Sequence, residues 1–413
     1  MVDTRPRLLI VGGCDVHFRL ELMSALRDRF HIAAAGSDPA LARRFEESGF
    51  EFLHYALYRG VSPVRDVGSF FRLLAIIRSW RPAIVHAFDT KPTIWARLAA
   101  RLAGVPVIVG TIPGRGSLYS LKGARAVLLK RILLWLEKVS SAASDVTVLQ
   151  NRDDHDELVG AGVLRGSKTV VVPGSGIRTE LLTPTSVPER ERLAVRAELG
   201  ARADDVVVTM VARVIRSKGV LEFADAADAV TRRFPNARCV LVGPDDRASL
   251  ERLSPEELAR TRRSLQWLGE RTDVPALLAA SDIFVLPSYY REGIPRVLLE
   301  AASMELPLIT TRSPGCTEVV LDDVTGVLVP VRDADALARA ISQLVADPAL
   351  RRRYGSGARG LVVRRFDLSI IAGELAALYF GLLERPRRGR NGARRPSGTQ
   401  TTDDDRTATS ITR

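Results

Sequence analysis

Hydrophobic residues along positions 7–174 alternate between short unbroken apolar runs and longer amphipathic stretches. The runs predict buried strands at Leu8–Val11, His31–Ala35, Ala83–Ala87, Val105–Val109, Asp145–Leu149 and Thr169–Val172. The stretches between them have helical spacing, as in Phe18–Arg29, Val67–Trp80 and Pro92–Ala103. Strands that alternate with helices of about 10–15 residues predict right-handed βαβ units and a parallel sheet.

The same alternation begins again near residue 206. Its strands are predicted at Val206–Ala212, Cys239–Gly243, Ile283–Pro287, Pro307–Thr310 and Val327–Pro330, with a helix over Lys218–Phe234. We therefore predict an α/β fold with two Rossmann-like, doubly wound parallel-sheet domains, at 1–180 and 181–367, that meet near Gly174–Ile177. A nucleotide would bind where the carboxyl ends of the strands face the cleft between them.

Length and composition agree with two domains. A chain of 413 residues that is 46% hydrophobic and 26% charged is expected to be globular with a sizeable core. No apolar run approaches the ~18 residues of a membrane span, and Leu8–Val11 is too short for the core of a signal peptide. Three widely spaced cysteines (Cys14, Cys239 and Cys316) form no disulfide or metal pattern, which favours a reducing compartment.

Charge is unevenly distributed along the chain. The net charge of +12 divides into +8 for residues 1–180, −1 for 181–384 and +5 for 385–413. Nucleic acid and an anionic membrane surface are both possible partners of a basic domain. Only six of the 60 basic residues are lysine, a bias that genomic base composition can produce, so we discount the charge as evidence for nucleic acid. Residues 385–413 have almost no apolar content and are expected to be a disordered basic tail.

The segment 288–303 carries the most specific chemistry. Glu292 lies in a glycine-containing turn after a predicted strand, and Pro295 is expected to open the helix that carries Glu300. The turn at Gly293 and Ile294 can direct backbone N–H groups at an anion, which the helix dipole also favours. An anion repels a neighbouring carboxylate, but the carboxylate can accept hydrogen bonds from hydroxyl groups attached to that anion. A diphosphate between a sugar and a ribose meets that demand.

Two cations lie at the carboxyl end of an earlier predicted strand. Arg213 and Lys218 can hold a diphosphate and stabilise the negative charge of a leaving nucleotide. A metal ion is then not needed for the charge, and the acidic run 403–405 in the tail is not a credible metal site. Gly12 and Gly13 follow the first strand and allow close approach of a phosphate, but no GxGxxG fingerprint is present, so a Rossmann dehydrogenase is disfavoured.

The E-x7-E spacing of Glu292 and Glu300, together with the R-x4-K spacing of Arg213 and Lys218, resembles the retaining group 1 (family 4) glycosyltransferases of GT-B fold. The resemblance covers roughly residues 5–384. It implies that Arg213 and Lys218 hold the donor diphosphate, that Glu292 orients the donor sugar, and that Glu300 holds the ribose. It implies no cofactor and no metal, and a final helix at 368–384 that crosses back onto the first domain.

The resemblance extends to a base-binding segment around Gln266–Gly269, where backbone groups near Leu268 would contact a uracil edge. An edge strand and a core helix account for the segment equally well. The full donor-binding set implied is Gly12, Gly13, Arg213, Lys218, Leu268, Gly293, Ile294, Pro295 and Glu300.

Two segments of the first domain, 83–92 and 110–116, resemble acceptor-side loops of a subgroup that acts on undecaprenyl-diphosphate-linked saccharides and includes capsule glycosyltransferases. Lys91 and Arg115 would meet the lipid diphosphate. Pro113 stands where many relatives have histidine, which puts a general base on that loop in doubt. We interpret His86 as a structural strand-end residue rather than as a base.

The stretch Leu118–Ser140 combines basic residues with leucines and Trp135. It fits either a helix at a membrane interface or a core helix with a solvated basic face. We expect a cytoplasmic enzyme, peripheral at the inner face of the cell membrane, that moves a hexose or N-acetylhexosamine from a UDP-sugar to a lipid-linked saccharide. The alternatives are a sugar-nucleotide epimerase of similar architecture, a basic nucleic-acid-binding protein and a non-catalytic nucleotide-binding scaffold.

Overall fold

The computed structural model describes residues 3–58, 62–116 and 123–385. It contains two parallel sheets of seven and six strands with helices on their faces, so the prediction of two doubly wound α/β domains is confirmed. The tail from residue 386 and the start of the 118–140 segment, including Lys122, lie outside the described residues.

The N-terminal sheet has the strand order β3-β2-β1-β4-β5-β6-β7. Its strands are β1 (Arg7–Val11), β2 (His31–Gly36), β3 (Glu51–His54), β4 (Ile84–Phe88), β5 (Val107–Ile112), β6 (Val146–Leu149) and β7 (Thr169–Val171). Its helices are α1 (Leu20–Leu26), α2 (Ala42–Glu47), α3 (Pro63–Trp80), α4 (Thr90–Ala103), α5 (Ala124–Ala143) and α6 (Arg152–Gly160). The order reverses between β1 and β4, which creates the crevice where ligands of such sheets bind.

The helices divide between the two faces of this sheet. α3 and α4 cover a core that contains Leu9 and Val11, whereas α1 and α2 cover the opposite core that contains Leu8 and Ile10. α5 packs beside α4. Because helices run antiparallel to the strands that they connect, the first turns of α3, α4 and α5 lie at the cleft edge of the sheet.

The C-terminal sheet has the strand order β10-β9-β8-β11-β12-β13. Its strands are β8 (Val206–Val211), β9 (Ala237–Val242), β10 (Gln266–Trp267), β11 (Ile283–Leu286), β12 (Leu308–Thr311) and β13 (Gly326–Val329). Its helices are α7 (Glu189–Glu198), α8 (Val220–Arg233), α9 (Pro255–Ser264), α10 (Val274–Ala279), α11 (Arg296–Ser303), α12 (Cys316–Val319), α13 (Ala334–Ala346) and α14 (Pro348–Arg365).

The last described helix, α15 (Leu368–Leu383), leaves the C-terminal domain and packs against α1 of the first domain. Asp367 caps its first turn. Its buried side chains, among them Ile371, Leu375 and Tyr379, join the core beneath β1 and β4. The N-terminal core therefore contains residues from both ends of the described chain.

A cavity of about 420 Å³ lies between the carboxyl edges of the two sheets. Residues of both domains line it, including Asp89 and Gln150 from the first and Glu292 and Arg296 from the second. Among the described helices, none is both long enough and apolar enough to cross a bilayer.

Candidate active site

Lys218 contacts Glu292, which lines the cavity. The two residues follow β8 and β11, which are neighbours in the sheet, so their loops emerge side by side. Lys218 Nζ lies 2.6 Å from Glu292 Oε1, and Ser288 Oγ lies 3.3 Å from the same oxygen. The two side chains are 11% and 17% exposed, so their charges act through a largely desolvated environment.

Backbone contacts fix these two loops against each other. The Ser217 carbonyl accepts hydrogen bonds from the N–H groups of both Tyr289 and Tyr290, at 2.8 and 3.0 Å. Gly219 has a φ of +79°, and a Cβ there would lie 2.1 Å from the Pro287 carbonyl oxygen. Only glycine combines that dihedral with so close an approach.

Arg213, at the end of β8, lies on the same side of the cleft. Its Nη1 is 2.7 Å from Asp246 Oδ2, and the ring of Tyr290 lies beneath both Arg213 and Lys218. Burial disfavours the charge on Arg213, but Asp246 and the Tyr290 side chain outweigh it and hold the pKa of the guanidinium above its ordinary value. Arg213 is therefore a fixed cation that follows the same strand, β8, as Lys218.

Glu300, on α11, is held by an arginine that also reaches the other domain. Arg296 Nε lies 2.8 Å from Glu300 Oε1, and Arg296 Nη2 lies 2.7 Å from Glu21 Oε2 on α1. Burial raises the pKa of the Glu300 carboxyl, an effect that Arg296 opposes in part. Glu300 thus lies in the cleft wall, in an arrangement that links the two domains.

Pro295 occupies a different helical position from the one expected. It was expected at the first helical residue, but its ψ of 109° is extended and α11 begins at Arg296. Its φ of −64° suits either position, so the residue type alone did not decide between them. Glu300 is the fifth residue of α11, just over one turn from its start.

The turn that carries Glu292 is contacted directly by the N-terminal domain. Gly114 forms an antiparallel bridge with Glu292, and the Arg115 N–H donates to the Arg291 carbonyl at 3.0 Å. A Cβ on Gly293 would lie 1.8 Å from the Pro113 carbonyl oxygen. Glycine at this position is therefore required for the domains to approach this closely.

One N–H of the turn is already bonded. The Ile294 N–H, which was expected to face an anion, donates to Gln150 Oε1 at 3.2 Å. Gln150 follows β6 and is 5% exposed. Its amide therefore lies at the junction of the two domains, beside the predicted donor site.

Gly12 and Gly13 follow β1 in the first domain. The Gly12 carbonyl accepts a hydrogen bond from the Tyr55 hydroxyl at 2.7 Å. Asp89 follows β4 with a φ of +69°, a conformation that few residues other than glycine adopt and that occurs more often at functional sites. Burial raises the pKa of Asp89, although Arg19 opposes that shift.

Both expected acceptor-side cations lie in ion pairs. Lys91 Nζ is 2.7 Å from Asp66 Oδ1. Arg115 pairs with Glu157, which also accepts from Arg291 of the other domain at 2.6 Å. Their positions near the cleft edge agree with the sequence, but the partners were not foreseen because each acid comes from a distant segment.

Two further residues have structural contacts. The Leu268 N–H donates to the Leu241 carbonyl at 2.9 Å, so that its amide proton belongs to the edge of the sheet. His86 is fully buried, with Nδ1 2.5 Å from the Tyr379 hydroxyl and Nε2 2.6 Å from Thr111 Oγ1. Burial lowers the pKa of His86 well below its ordinary value, so the imidazole is neutral.

Arg19, Asp89 and Gln150 line the cavity and Asn151 lies beside it, although none of the four is among the predicted site residues. The last three follow the ends of β4 and β6, so their position after a predicted strand was the available signal. Arg19 has no such signal in the sequence, because its contact with Ser175 joins segments that are 156 residues apart. Within the described residues, no group of three or more His, Cys, Asp and Glu side chains is arranged to hold a metal ion.

The arrangement can bind a polyanion and orient hydroxyl groups around it. Lys218 and Arg213 supply positive charge after β8, and Glu292 and Glu300, which follow the adjacent strand β11, supply acceptors for hydroxyls. Such pre-positioned charge stabilises a departing anion without reorganisation during the reaction.

Both halves of the chain match known protein families. Residues 191–361 match the family described as Glycosyl transferases group 1, and residues 12–175 match the Glycosyl transferase 4-like domain. The two matches meet at the boundary between the two sheets. They include every residue of the Lys218–Glu292 and Arg213 arrangement.

Individual relatives are moderately similar over most of their length. The chain is 27% identical to an Escherichia coli UDP-Gal:alpha-D-GlcNAc-diphosphoundecaprenol alpha-1,3-galactosyltransferase, covering 82% of this chain and 85% of the relative. It is also 27% identical to an N,N'-diacetylbacillosaminyl-diphospho-undecaprenol alpha-1,3-N-acetylgalactosaminyltransferase of Campylobacter jejuni, covering 89% and 96%. The structure of Anabaena HepE in complex with UDP superposes with a TM-score of 0.74 at 18% identity, covering 91% and 100%, which supports the fold.

Proposed function

Since the chain belongs to the group 1 glycosyltransferases, we propose that it moves a hexose or N-acetylhexosamine from a UDP-sugar to a lipid-linked saccharide, with retention at the anomeric carbon. The reaction needs no metal ion or cofactor and serves the synthesis of a cell-surface glycan. The relatives named for undecaprenyl-diphosphate-linked acceptors support the choice of acceptor.

The observation that carries the proposal is the 2.6 Å contact between Lys218 Nζ and Glu292 Oε1. It brings together one cation and one carboxylate that 73 intervening residues separate in the sequence, at the point where adjacent strands end. A diphosphate that engages Lys218 lies next to Glu292, whose carboxylate is then available to the hydroxyls of the attached sugar. If the segment were only a basic turn or a surface helix with incidental glutamates, there would be no reason for Lys218 and Glu292 to lie in contact.

The chemical step follows from those positions. The bond between the sugar C1 and the diphosphate oxygen breaks, and a bond from the acceptor oxygen to C1 forms on the same face of the sugar. The acceptor proton passes to the departing phosphate oxygen. Lys218 and Arg213 stabilise the charge that develops on the diphosphate, Glu292 orients the sugar, and Glu300 holds the ribose hydroxyls.

The test is a thermal-shift panel of UDP-, GDP- and ADP-sugars, each measured with magnesium and with a chelator. We expect one UDP-sugar to stabilise the protein equally under both conditions, by about 2.7 kcal/mol at a hundredfold excess over Kd. A shift only with a guanine or adenine nucleotide would overturn the choice of base. A shift that needs magnesium would overturn metal independence, and no shift with any donor would contradict the proposal as a whole.

The membrane part of the proposal rests on α3 and α5. Their outer faces carry exposed apolar side chains, including Phe71 and Trp135, which are 61% and 62% exposed. The acids of both helices face inward, because Asp66 pairs with Lys91 and Glu137 pairs with Arg97, both on α4. The outer faces thus combine apolar and basic residues, which suits the interface of an anionic bilayer.

Vesicle co-sedimentation tests this surface. We expect the protein to sediment with phosphatidylglycerol-containing vesicles more than with phosphatidylcholine vesicles, and the Phe71→Ser/Trp135→Ser variant to lose most of that difference. Leu193→Ser on α7, an exposed leucine of the other domain, serves as the control. Equal sedimentation of wild type and double variant would rule out α3 and α5 as the membrane surface.

A further inference from the structure

Gln150 and Asn151 form a polar pair that the proposed chemistry does not use. They follow β6 at the carboxyl edge of the N-terminal sheet, and they are 5% and 1% exposed. Both side chains contact the backbone of the turn 292–294 in the other domain. Since that turn carries the residues assigned to the donor, the contacts bear directly on how the donor enters.

Asn151 has a fixed orientation. Its Oδ1 accepts from the Asp154 N–H at 2.7 Å, as the cap of α6, so its Nδ2 must face the opposite way. Nδ2 lies 3.3 Å from the Glu292 carbonyl oxygen and 2.9 Å from Asp154 Oδ2. Asn151 therefore binds the carbonyl oxygen of Glu292. A phosphate oxygen is itself an acceptor, so it does not compete for that carbonyl.

Gln150 accepts a hydrogen bond from the turn, whereas Asn151 donates one to it. Its Oε1 accepts from the Ile294 N–H at 3.2 Å. A Cβ on Gly293 would lie 2.0 Å from the same oxygen, so glycine at 293 is what allows the amide to come this close. The Ile294 N–H, which is partly buried and precedes α11, is also suited to a phosphate oxygen.

We propose that Gln150 competes with the donor diphosphate for the Ile294 N–H, so that donor binding releases this turn from the N-terminal domain. The inference rests on the proposed donor site. A phosphate oxygen carries charge and forms a stronger hydrogen bond than a neutral amide oxygen, so the exchange favours the donor. Asn151 continues to hold Glu292, which restricts the release to Ile294.

The competition has a measurable consequence. The hydrogen bond between Gln150 and the Ile294 N–H stabilises only the donor-free state. It therefore lowers the donor affinity by the same factor by which it stabilises that state. Removal of the Gln150 oxygen should therefore tighten donor binding. A single neutral hydrogen bond corresponds to about three- to tenfold.

The experiment is a calorimetric titration of the full chain with UDP. We expect Gln150→Leu to bind UDP about three- to tenfold more tightly than wild type. Gln150→Glu should bind it at least about tenfold more weakly, because a carboxylate holds the N–H more strongly and repels the diphosphate. Gln343→Leu, the same change at an exposed position on α13, is the control and should leave affinity unchanged.

The opposite signs of the two variants separate competition from a structural role. If Gln150 only supported the turn, or contacted the donor itself, Gln150→Leu would bind UDP more weakly or equally, and the inference would fail while the donor site stood. If wild type did not bind UDP, the proposed donor would be wrong and the inference would fall with it. Should Gln150→Leu not fold, a Gln150→Glu variant with wild-type affinity would also overturn the inference.

Discussion

The two walls of the cleft arrange their charges differently. On the C-terminal wall, Lys218 and Glu292 contact each other across two adjacent strand ends, and Glu292 lines the cavity. On the N-terminal wall, Lys91 and Arg115 each pair with an acid of their own domain, Asp66 and Glu157. The difference separates charges that are held together at two adjacent strand ends from charges that pair within one domain and so serve its structure.

The strongest test of that contrast removes the C-terminal pair. We expect Lys218→Ala and Glu292→Gln each to lower turnover about 10²–10³-fold, as for other pre-positioned groups that stabilise charge in a transition state. Steady-state transfer of labelled sugar is the measurement. Arg216→Ala, two residues from Lys218 but paired with Glu257 on α9, and the exposed Glu374→Gln should stay near wild type. Wild-type rates for both site variants would contradict the assignment.

The N-terminal wall is tested by removing a whole ion pair. Lys91→Met alone leaves Asp66 buried and unpaired, so both stability and acceptor binding should fall. In Lys91→Met/Asp66→Asn, stability should recover, but the acceptor KM should stay about tenfold or more above wild type while the donor KM is unchanged. Lys168→Met, whose ammonium caps the end of α5, is the control. A wild-type acceptor KM in the double variant would make Lys91 purely structural.

The junction between the walls is sensitive to one methyl group. Gly293→Ala places a Cβ against the Pro113 carbonyl oxygen, so we expect a loss of about 1–3 kcal/mol in the free energy of unfolding, together with reduced turnover. Chemical denaturation measures the first and sugar transfer the second. Gly373→Ala, on α15 with no neighbouring atom within 4 Å, should be neutral or slightly stabilising. Equal behaviour of the two variants would show that the domains do not need this close approach.

The smallest expected effect concerns pH and His86. The folded protein holds this imidazole neutral because burial lowers its pKa, whereas the unfolded chain protonates near pH 6.5. The unfolded state therefore binds more protons below that pH, and stability should fall from pH 7 to 5 by up to about 1.4 kcal/mol per unit. His86→Gln should remove this part of the slope in urea denaturation. An unchanged slope would mean that His86 is not the group responsible.

Much of the C-terminal wall could be predicted from the sequence, because its residues follow strands whose apolar runs are unbroken. Lys218 and Glu292 are recognisable by their spacing, and the family prediction is confirmed by the two family matches. The ion pairs of Lys91 and Arg115 could not be predicted, since Asp66 and Glu157 lie 25 and 42 positions away on other helices. The prediction that Pro295 is the first helical residue was wrong, because its φ fits both that position and the preceding N-cap position that it occupies.

The N-terminal domain acquires part of its core late. Ile371 and Tyr379 of α15 lie beneath β1 and β4, yet about 200 residues separate α15 from the last strand of that domain. At roughly 5–20 residues per second, a ribosome takes about 10–40 s to make that interval. During synthesis the face of the first sheet that α15 shares with α1 and α2 is therefore only partly covered while the whole second domain emerges. Chaperone dependence in vivo should follow that interval, and a ribosome stall before α15 should leave the nascent chain prone to aggregation.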